Sequence, residues 1–316
     1  MQHFDCIIAG AGIVGLTTAY EILHRAPSAR VAVVEKEATT GRHASGRNSG
    51  VLHCGLYYGS DTRKAQVCAV GGRAMKDFAD AHGIPWQKTG KVLVATDPDQ
   101  LPAVERLMQN AADNAIRAER IDNRTLLELE PAAPSDAVAA IHCPDTSVID
   151  AKAVLETLRR LLAERGARFY FQRRVLGPAA DGSLQTTSGP IRGGFLFNCC
   201  GAYADVLAKA CGLARLYLAD HDNFRLLART ETRKYSKRFF HQCAKRLFPG
   251  LALDDLVPTA KAGIRPQLVN VATKRLEMDY ILEGDGKSLH VLNAISPAFT
   301  GSFAFARMIV DRSGAL

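Results

Sequence analysis

Two residues of this chain combine reactive chemistry with a setting that suits it. His53 lies in Ser49-Gly50-Val51-Leu52-His53-Cys54-Gly55-Leu56-Tyr57-Tyr58, where glycines alternate with β-formers, a composition that suggests backbone lying close against something flat. A histidine of near-neutral pKa can take a proton from a hydroxyl group. On periodicity alone, however, His53 reads as a core histidine bonded to a neighbouring carbonyl. Arg265 follows the glycine of Gly263-Ile264-Arg265-Pro266. A guanidinium there can grip a carboxylate in a two-pronged fork, and the alternative is a surface ion pair. Tyr57 and Tyr58 read as pocket walls, and His290 as a strand residue rather than a second base.

The elements that must position these residues begin at the first turn. An apolar run, Cys6-Ile7-Ile8-Ala9, precedes Gly10-Ala11-Gly12-Ile13-Val14-Gly15. A helical pattern then runs through Leu16, Ala19, Tyr20 and Leu23, and a second apolar run, Val31 to Val34, ends at Glu35. Strand, glycine turn, helix, strand and acid together read as a dinucleotide site. Gly10 turns the chain tightly, Gly12 lets backbone approach a pyrophosphate, and Gly15 lets the helix pack on the strand. The helix N-terminus offers N–H groups and positive dipole to phosphate, and Glu35 can accept from a ribose.

Further along, helices are expected over 64–82, 97–114, 124–130, 151–165, 205–211 and 302–310. Strands are expected over 91–95, 137–142, 168–175, 194–198, 278–282 and 289–292. Asn198-Cys199-Cys200-Gly201-Ala202 is a second tight strand-to-helix turn. Between Arg225 and Arg246 stand eight Lys or Arg, with Tyr235, Phe239, Cys243 and Leu247 at helical spacing. That pattern reads as a helix with a solvated basic face, or alternatively as one docked on an anionic membrane.

The bulk figures limit the class. With 316 residues, 47% apolar and 23% charged, the chain fits about two soluble globular domains. The apolar run Cys6 to Leu16 is too short to cross a bilayer, and the start carries no basic leader, so a cytoplasmic protein is expected, peripheral to the membrane's cytoplasmic face on the second reading of the basic segment. The eight cysteines include no CxxC pair, which points to reduced thiols and no structural metal site. Net charge is +8, but no nucleic-acid motif accompanies it, and nucleic-acid binding is not expected.

Together with the first glycine turn, the segment Ser45-Gly46-Arg47-Asn48-Ser49-Gly50-Val51-Leu52-His53-Cys54-Gly55-Leu56-Tyr57-Tyr58 resembles the FAD-dependent D-amino-acid-oxidase-like oxidoreductases. Within them it is most similar to the L-2-hydroxyglutarate dehydrogenase (oxidase) branch. Asn198-Cys199-Cys200-Gly201, Gly263-Ile264-Arg265-Pro266-Gln267 and Leu289 to Pro297 carry the same resemblance. It implies an α/β fold: a Rossmann-like FAD-binding domain of glutathione-reductase type, with a smaller, reduced α+β substrate domain. The FAD domain would comprise 1–83, 151–214 and 263–316, and the substrate side 84–150 and a shortened helical segment, 215–262.

By the same resemblance the cofactor is FAD, with Gly10, Gly12 and Gly15 at its pyrophosphate and Glu35 at its adenosine ribose. Ser45, Arg47, Asn48 and Ser49 would line the pyrophosphate and ribityl chain, Val175 would meet the adenine, and Gly201 would let the second turn approach. Ser296, Pro297 and Thr300, opening the last helix, would face the flavin's pyrimidine edge. His53 would be the base and Arg265 the carboxylate grip for a small 2-hydroxy acid, L-2-hydroxyglutarate in the first instance, giving its hydride to flavin. A quinone or other acceptor would take the electrons. An amino-acid or glycine oxidase is the second enzymatic reading. One departure limits the claim: Ala202 to Ala262 leaves no room for the family's strand-rich substrate sheet, so a catalytically impaired flavin-binding homologue is a third.

Overall fold

The computed structural model describes residues 2–213, 236–259, 263, 268–270 and 275–316. Its centre is a six-stranded sheet built from β1 (His3–Ala9), β2 (Val31–Val34), β9 (Arg168–Tyr170), β12 (Arg192–Asn198), β15 (Leu282–Gly284) and β16 (Ser288–Val291), numbered in chain order among the strands given below. The spatial order is β15-β16-β12-β1-β2-β9. All neighbours are parallel except β15, which runs antiparallel to β16. From β1 the chain crosses through α1 (Ile13–Arg25) to β2 on one side, and its other neighbour, β12, arrives much later. In such sheets a crevice opens beyond the strands' carboxyl ends where the order reverses. Here that point lies between Ala9 and Asn198, which are paired in register.

Alternation along the strands divides the interior into two layers. Cys6, Ile8, Val31, Val33, Phe195 and Phe197 face one core with α1, α5 (Ala151–Glu164) and the last helix, α8 (Ser302–Ser313). Ile7, Ala9, Ala32, Val34 and Leu196 face the other, and Phe4, at the start of β1, joins them out of alternation. Burial on both faces explains why these strands read as unbroken apolar runs. Each fully buried Ile, Leu or Phe contributes about 1.5–3 kcal/mol, and those of β1 fix its position beside the site. Against the second face pack the hairpin of β10 (Val175–Pro178) with β11 (Leu184–Thr186), and α6 (Ala204–Ala210).

Two small antiparallel sheets stand apart from this layer. One joins β3 (Val51–Leu52), β8 (Ser147–Ile149) and β4 (Trp86–Lys88); the other joins β5 (Val92–Ala95), β7 (Ala139–His142) and β6 (Glu119–Ile121). A third pairing links β13 (Val269–Asn270) to β14 (Arg275–Leu276). α2 (Arg63–Ala81) bridges from the first small sheet to α8. Its N-terminus is capped twice: Thr62 accepts from the Ala65 N–H, and the Asp279 carboxylate accepts from Arg63 and Lys64. α3 (Leu101–Asp113), α4 (Asn123–Leu129) and α7 (Lys237–Lys245) complete the α-helices among the described residues.

Several expectations need correction. The strand expected over 168–175 is two strands of different sheets, because Gln172 has φ of +53° and turns the chain after β9. Val175 therefore opens a strand instead of closing one. The strand expected over 278–282 begins only at Leu282, since Asp279 is spent on capping α2. Ser296 to Thr300 forms a turn ahead of α8, whose first residue is Ser302, rather than the start of the helix. Between 202 and 262 no strand occurs among the described residues. The Ile264–Gln267 stretch, with Arg265, lies outside them, as does the 214–235 part of the basic segment.

Candidate active site

Beyond the carboxyl ends of β1 and β12 lies a cavity of about 640 Å³, the size of a large cofactor site. Its floor is made by the two turns seen in the sequence. Gly10 has φ of +105°, and a Cβ there would stand 2.5 Å from the Cys199 carbonyl oxygen, so the turns meet at van der Waals limit. A Cβ on Gly15 would stand 2.0 Å from the Gly10 carbonyl oxygen, which is how closely α1 packs on the end of β1. Neither position accommodates any larger residue without displacement.

At one end of the cavity is Glu35, buried at the end of β2. One carboxylate oxygen accepts from the Ala11 N–H at 2.7 Å and the other from the Glu37 N–H at 2.9 Å, so the acid is fixed before any ligand arrives. Beside it Lys36 lies 4.7 Å from the centre of the Tyr203 ring. Lys36 and His43 both bond the Glu37 carboxylate and hold it down to about 2. Val175 lines this end too.

In the middle, Ser45 accepts from the Ile13 N–H at 2.9 Å, tying the 42–48 loop to the N-terminus of α1. Gly12 lies just below, where a Cβ would approach the Ser45 hydroxyl to 3.0 Å. Asn48 donates to the Ser45 carbonyl at 2.7 Å and accepts from the Gly50 N–H at 2.8 Å, so its side chain holds the loop's shape. Arg47 and Ser49 line the wall, and Gly263 lies against Arg47. Gly201, with φ of +58°, faces open space. Its turn is held from below by a buried relay. Asn198 Nδ2 donates to the Ala204 carbonyl (2.7 Å) and to His290 Nδ1 (2.8 Å), and His290 Nε2 then donates to Ser288 (2.8 Å). Burial pushes His290 down to about 4, leaving it neutral. His290 is thus a strand residue of the core, as its sequence context suggested.

At the far end the cavity is lined by His53, Ser296, Pro297 and Thr300. The half-buried His53 is held through its backbone from two directions. Its N–H donates to Thr300 Oγ1 at 3.2 Å, and its carbonyl accepts from Cys68 Sγ of α2 at 3.3 Å. Thr300 also donates to the Val51 carbonyl at 3.4 Å. All the predicted cofactor and catalytic residues except Gly15 and the undescribed Arg265 border this one cavity, whereas Tyr57 and Tyr58, expected as pocket walls, do not line it, and Tyr57 packs against Lys91 with half its surface exposed. Sequence reasoning missed Lys36 and Tyr203, although each directly follows or closely trails a predicted residue, and it missed the Thr300 and Cys68 clamp, which only the fold brings together.

The cavity suits an elongated dinucleotide: a fixed acid at one end, a helix N-terminus with Arg42 and Arg47 in the middle, and a histidine at the other end. Residues 5–226 match the family model described as FAD dependent oxidoreductase. The chain belongs to that family, and its cofactor is FAD. It is similar to the L-2-hydroxyglutarate dehydrogenase of Indibacter alkaliphilus, at 28% identity over 397 aligned positions covering 98% of each chain. Since the whole chain has 316 residues, many of that relative's residues have no counterpart here. The L-2-hydroxyglutarate dehydrogenase of Escherichia coli (strain K12) is 33% identical over 214 residues, 66% of this chain and only 50% of that one. Among solved structures, the L-α-glycerophosphate oxidase of Mycoplasma pneumoniae with FAD bound superposes with a TM-score of 0.82 at 20% identity, over 99% of this chain and 95% of that one. That likeness is one of fold.

Proposed function

We propose that this FAD-dependent oxidoreductase acts on the CH–OH group of a small 2-hydroxy acid, L-2-hydroxyglutarate first, and releases the 2-oxo acid. The observation that carries the reading is His53, clamped by its own backbone at the end of the cavity opposite Glu35. FAD, when bound, supplies the two-electron acceptor for the substrate carbon. The chain's own part is binding and proton handling. Glu35 and the α1 N-terminus hold the adenosine and phosphate portion, and the imidazole of His53 takes the hydroxyl proton. Arg265, by its place in the Gly-Ile-Arg-Pro motif, grips a carboxylate. In this reading residues 1–83, 151–214 and 263–316 carry FAD, while 84–150 and the short 215–262 segment face the substrate.

The names of the curated relatives support the 2-hydroxy acid over an amino acid. The short interval after α6 favours a more open substrate side, and hence weaker turnover than cofactor binding. Anaerobic mixing of the holoenzyme with L-2-hydroxyglutarate, D-2-hydroxyglutarate, glycine and proline tests the assignment. Bleaching of the flavin band near roughly 450 nm by the first alone is expected. Bleaching by glycine or proline alone would replace the reading with an amino-acid oxidase, and bleaching by none with a silent flavin protein.

Reoxidation by a quinone at the cytoplasmic face of a membrane is the corresponding proposal for the acceptor. No helix among the described residues is long and apolar enough to cross a membrane. In α7 and just after it, Phe240, Leu247 and Phe248 are exposed beside Lys237, Arg238, Lys245 and Arg246. Flotation with anionic but not neutral liposomes, lost at high salt, is the expected outcome. No flotation at low salt rejects the membrane contact.

A further inference from the structure

The Glu35 end of the cavity carries a contact that neither Glu35 nor the N-terminus of α1 accounts for. In the central sheet β1 has β2 on one side and β12 on the other. With strands about 4.8 Å apart, the ends of β2 and β12 lie roughly 10 Å from each other. Lys36 follows β2 and Tyr203 follows β12. Even so, the Lys36 ammonium stands 4.7 Å from the centre of the Tyr203 ring, within the ~6 Å range of a cation–π contact. Side chains from opposite walls thus meet across the crevice, and both line the cavity. Tyr203 is 39% exposed and the Lys36 side chain 28%, whereas Glu35 is buried. The contact therefore lies on the cavity's solvent side.

The cation is itself held in place. Lys36 Nζ lies 2.9 Å from His43 Nε2, and both groups reach the Glu37 carboxylate. His43 also meets the Tyr203 ring edge-on, with ring centres 6.1 Å apart. An ammonium set among a carboxylate, an imidazole and an aromatic face has little rotamer freedom left to lose when a ligand arrives. His43 belongs to the 42–48 loop, whose Ser45 is tied to the N-terminus of α1. Next to Tyr203 the cavity wall is apolar and open: Leu176 of β10 and Val206 of α6 both line it and are exposed. A flat base bound at this end covers apolar surface that otherwise faces water.

We propose that Lys36 and Tyr203 form a latch over the adenosine end of the FAD site and set how fast the cofactor leaves. Glu35 and the N-terminus of α1 supply the contacts that bind. The latch supplies a barrier, because ring and ammonium must part before this end of the crevice opens. A cation–π pair at a partly exposed site is worth about two- to fivefold in such a rate, and a desolvated one up to about thirtyfold. Both residues lie at the end opposite His53, so the latch operates whichever substrate the enzyme takes.

The test follows FAD release from the holoenzyme by the rise in flavin fluorescence after dilution. Lys36→Met should speed release about three- to fivefold. Tyr203→Ala should speed it about tenfold, since the ring also covers apolar surface. Tyr203→Phe keeps the ring and should release FAD at the wild-type rate. The double variant Lys36→Met/Tyr203→Ala should be no faster than Tyr203→Ala alone, because the second change finds its partner already gone. Urea unfolding of the FAD-free variants should match that of FAD-free wild type, as expected for partly exposed side chains. Wild-type release from either Lys36→Met or Tyr203→Ala overturns the proposal. So does a double variant in which the two effects multiply, which would make the residues separate walls, or a Tyr203→Phe as fast as Tyr203→Ala. Faster release accompanied by an equal loss of FAD-free stability would make the role structural and overturn the latch as well.

Discussion

The two ends of the cavity are built on different principles. At the Glu35 end the polar groups are fixed by local backbone: both carboxylate oxygens accept from N–H groups of the turn and of the next residue but one. At the His53 end the histidine follows a two-residue strand, and its backbone is held by Thr300 and Cys68 from elements that the fold brings to it. The Glu35 end is therefore held by local geometry, and the His53 end by long-range packing. Changes to one end should spare the other.

The largest effect is expected from removing the proposed base. His53→Ala should slow flavin reduction by about 10²–10⁴-fold while FAD content, read from absorbance, stays at the wild-type level. Equal loss of both would break the separation. Next, Gly15→Ala pushes a Cβ against the Gly10 carbonyl, and a loss of roughly 2–4 kcal/mol in urea unfolding is expected, together with loss of bound FAD. Wild-type stability in that variant would show that α1 can move away from β1 at little cost.

A third prediction concerns the relay beneath Gly201. His290 titrates near 4 in the fold, because burial disfavours its charged form, against an ordinary value of 6.5. The unfolded chain then binds more protons between those values, so stability rises with pH there. The contribution is complete above about 6.5, falls as pH drops towards 4, and amounts to on the order of 2 kcal/mol. Unfolding of His290→Gln, compared with wild type at pH 7 and 4.5, should show a shallower pH dependence. The smallest effect is expected for Thr300→Val, which removes the acceptor for the His53 N–H. Flavin reduction should slow about fivefold, close to the net value of one hydrogen bond, with FAD affinity unchanged and Thr300→Ser restoring the rate.

The same contrast explains what was legible in the sequence. The glycine turn and Glu35 could be read because the residues that meet in space follow one another in the chain and each has a steric reason to be there. The two core faces could be read from apolar runs. The Thr300 bond to His53 spans 247 positions and the Asn198 bond to His290 spans 92, and no local pattern announces either. The turn at Gln172 was missed for a related reason: a polar residue with positive φ interrupts a run of strand-formers. Trp86–Lys88 carries no alternation because two of its three residues are exposed.

The most direct test measures FAD affinity and flavin reduction in parallel for Glu35→Gln and His53→Ala. The account predicts opposite outcomes. Glu35→Gln should bind FAD more weakly yet, once saturated, be reduced by L-2-hydroxyglutarate at the wild-type rate, whereas His53→Ala should bind FAD normally and be reduced slowly. If both variants lose both properties, or if saturated Glu35→Gln is as slow as His53→Ala, the division of this cavity into a binding end and a chemical end is wrong.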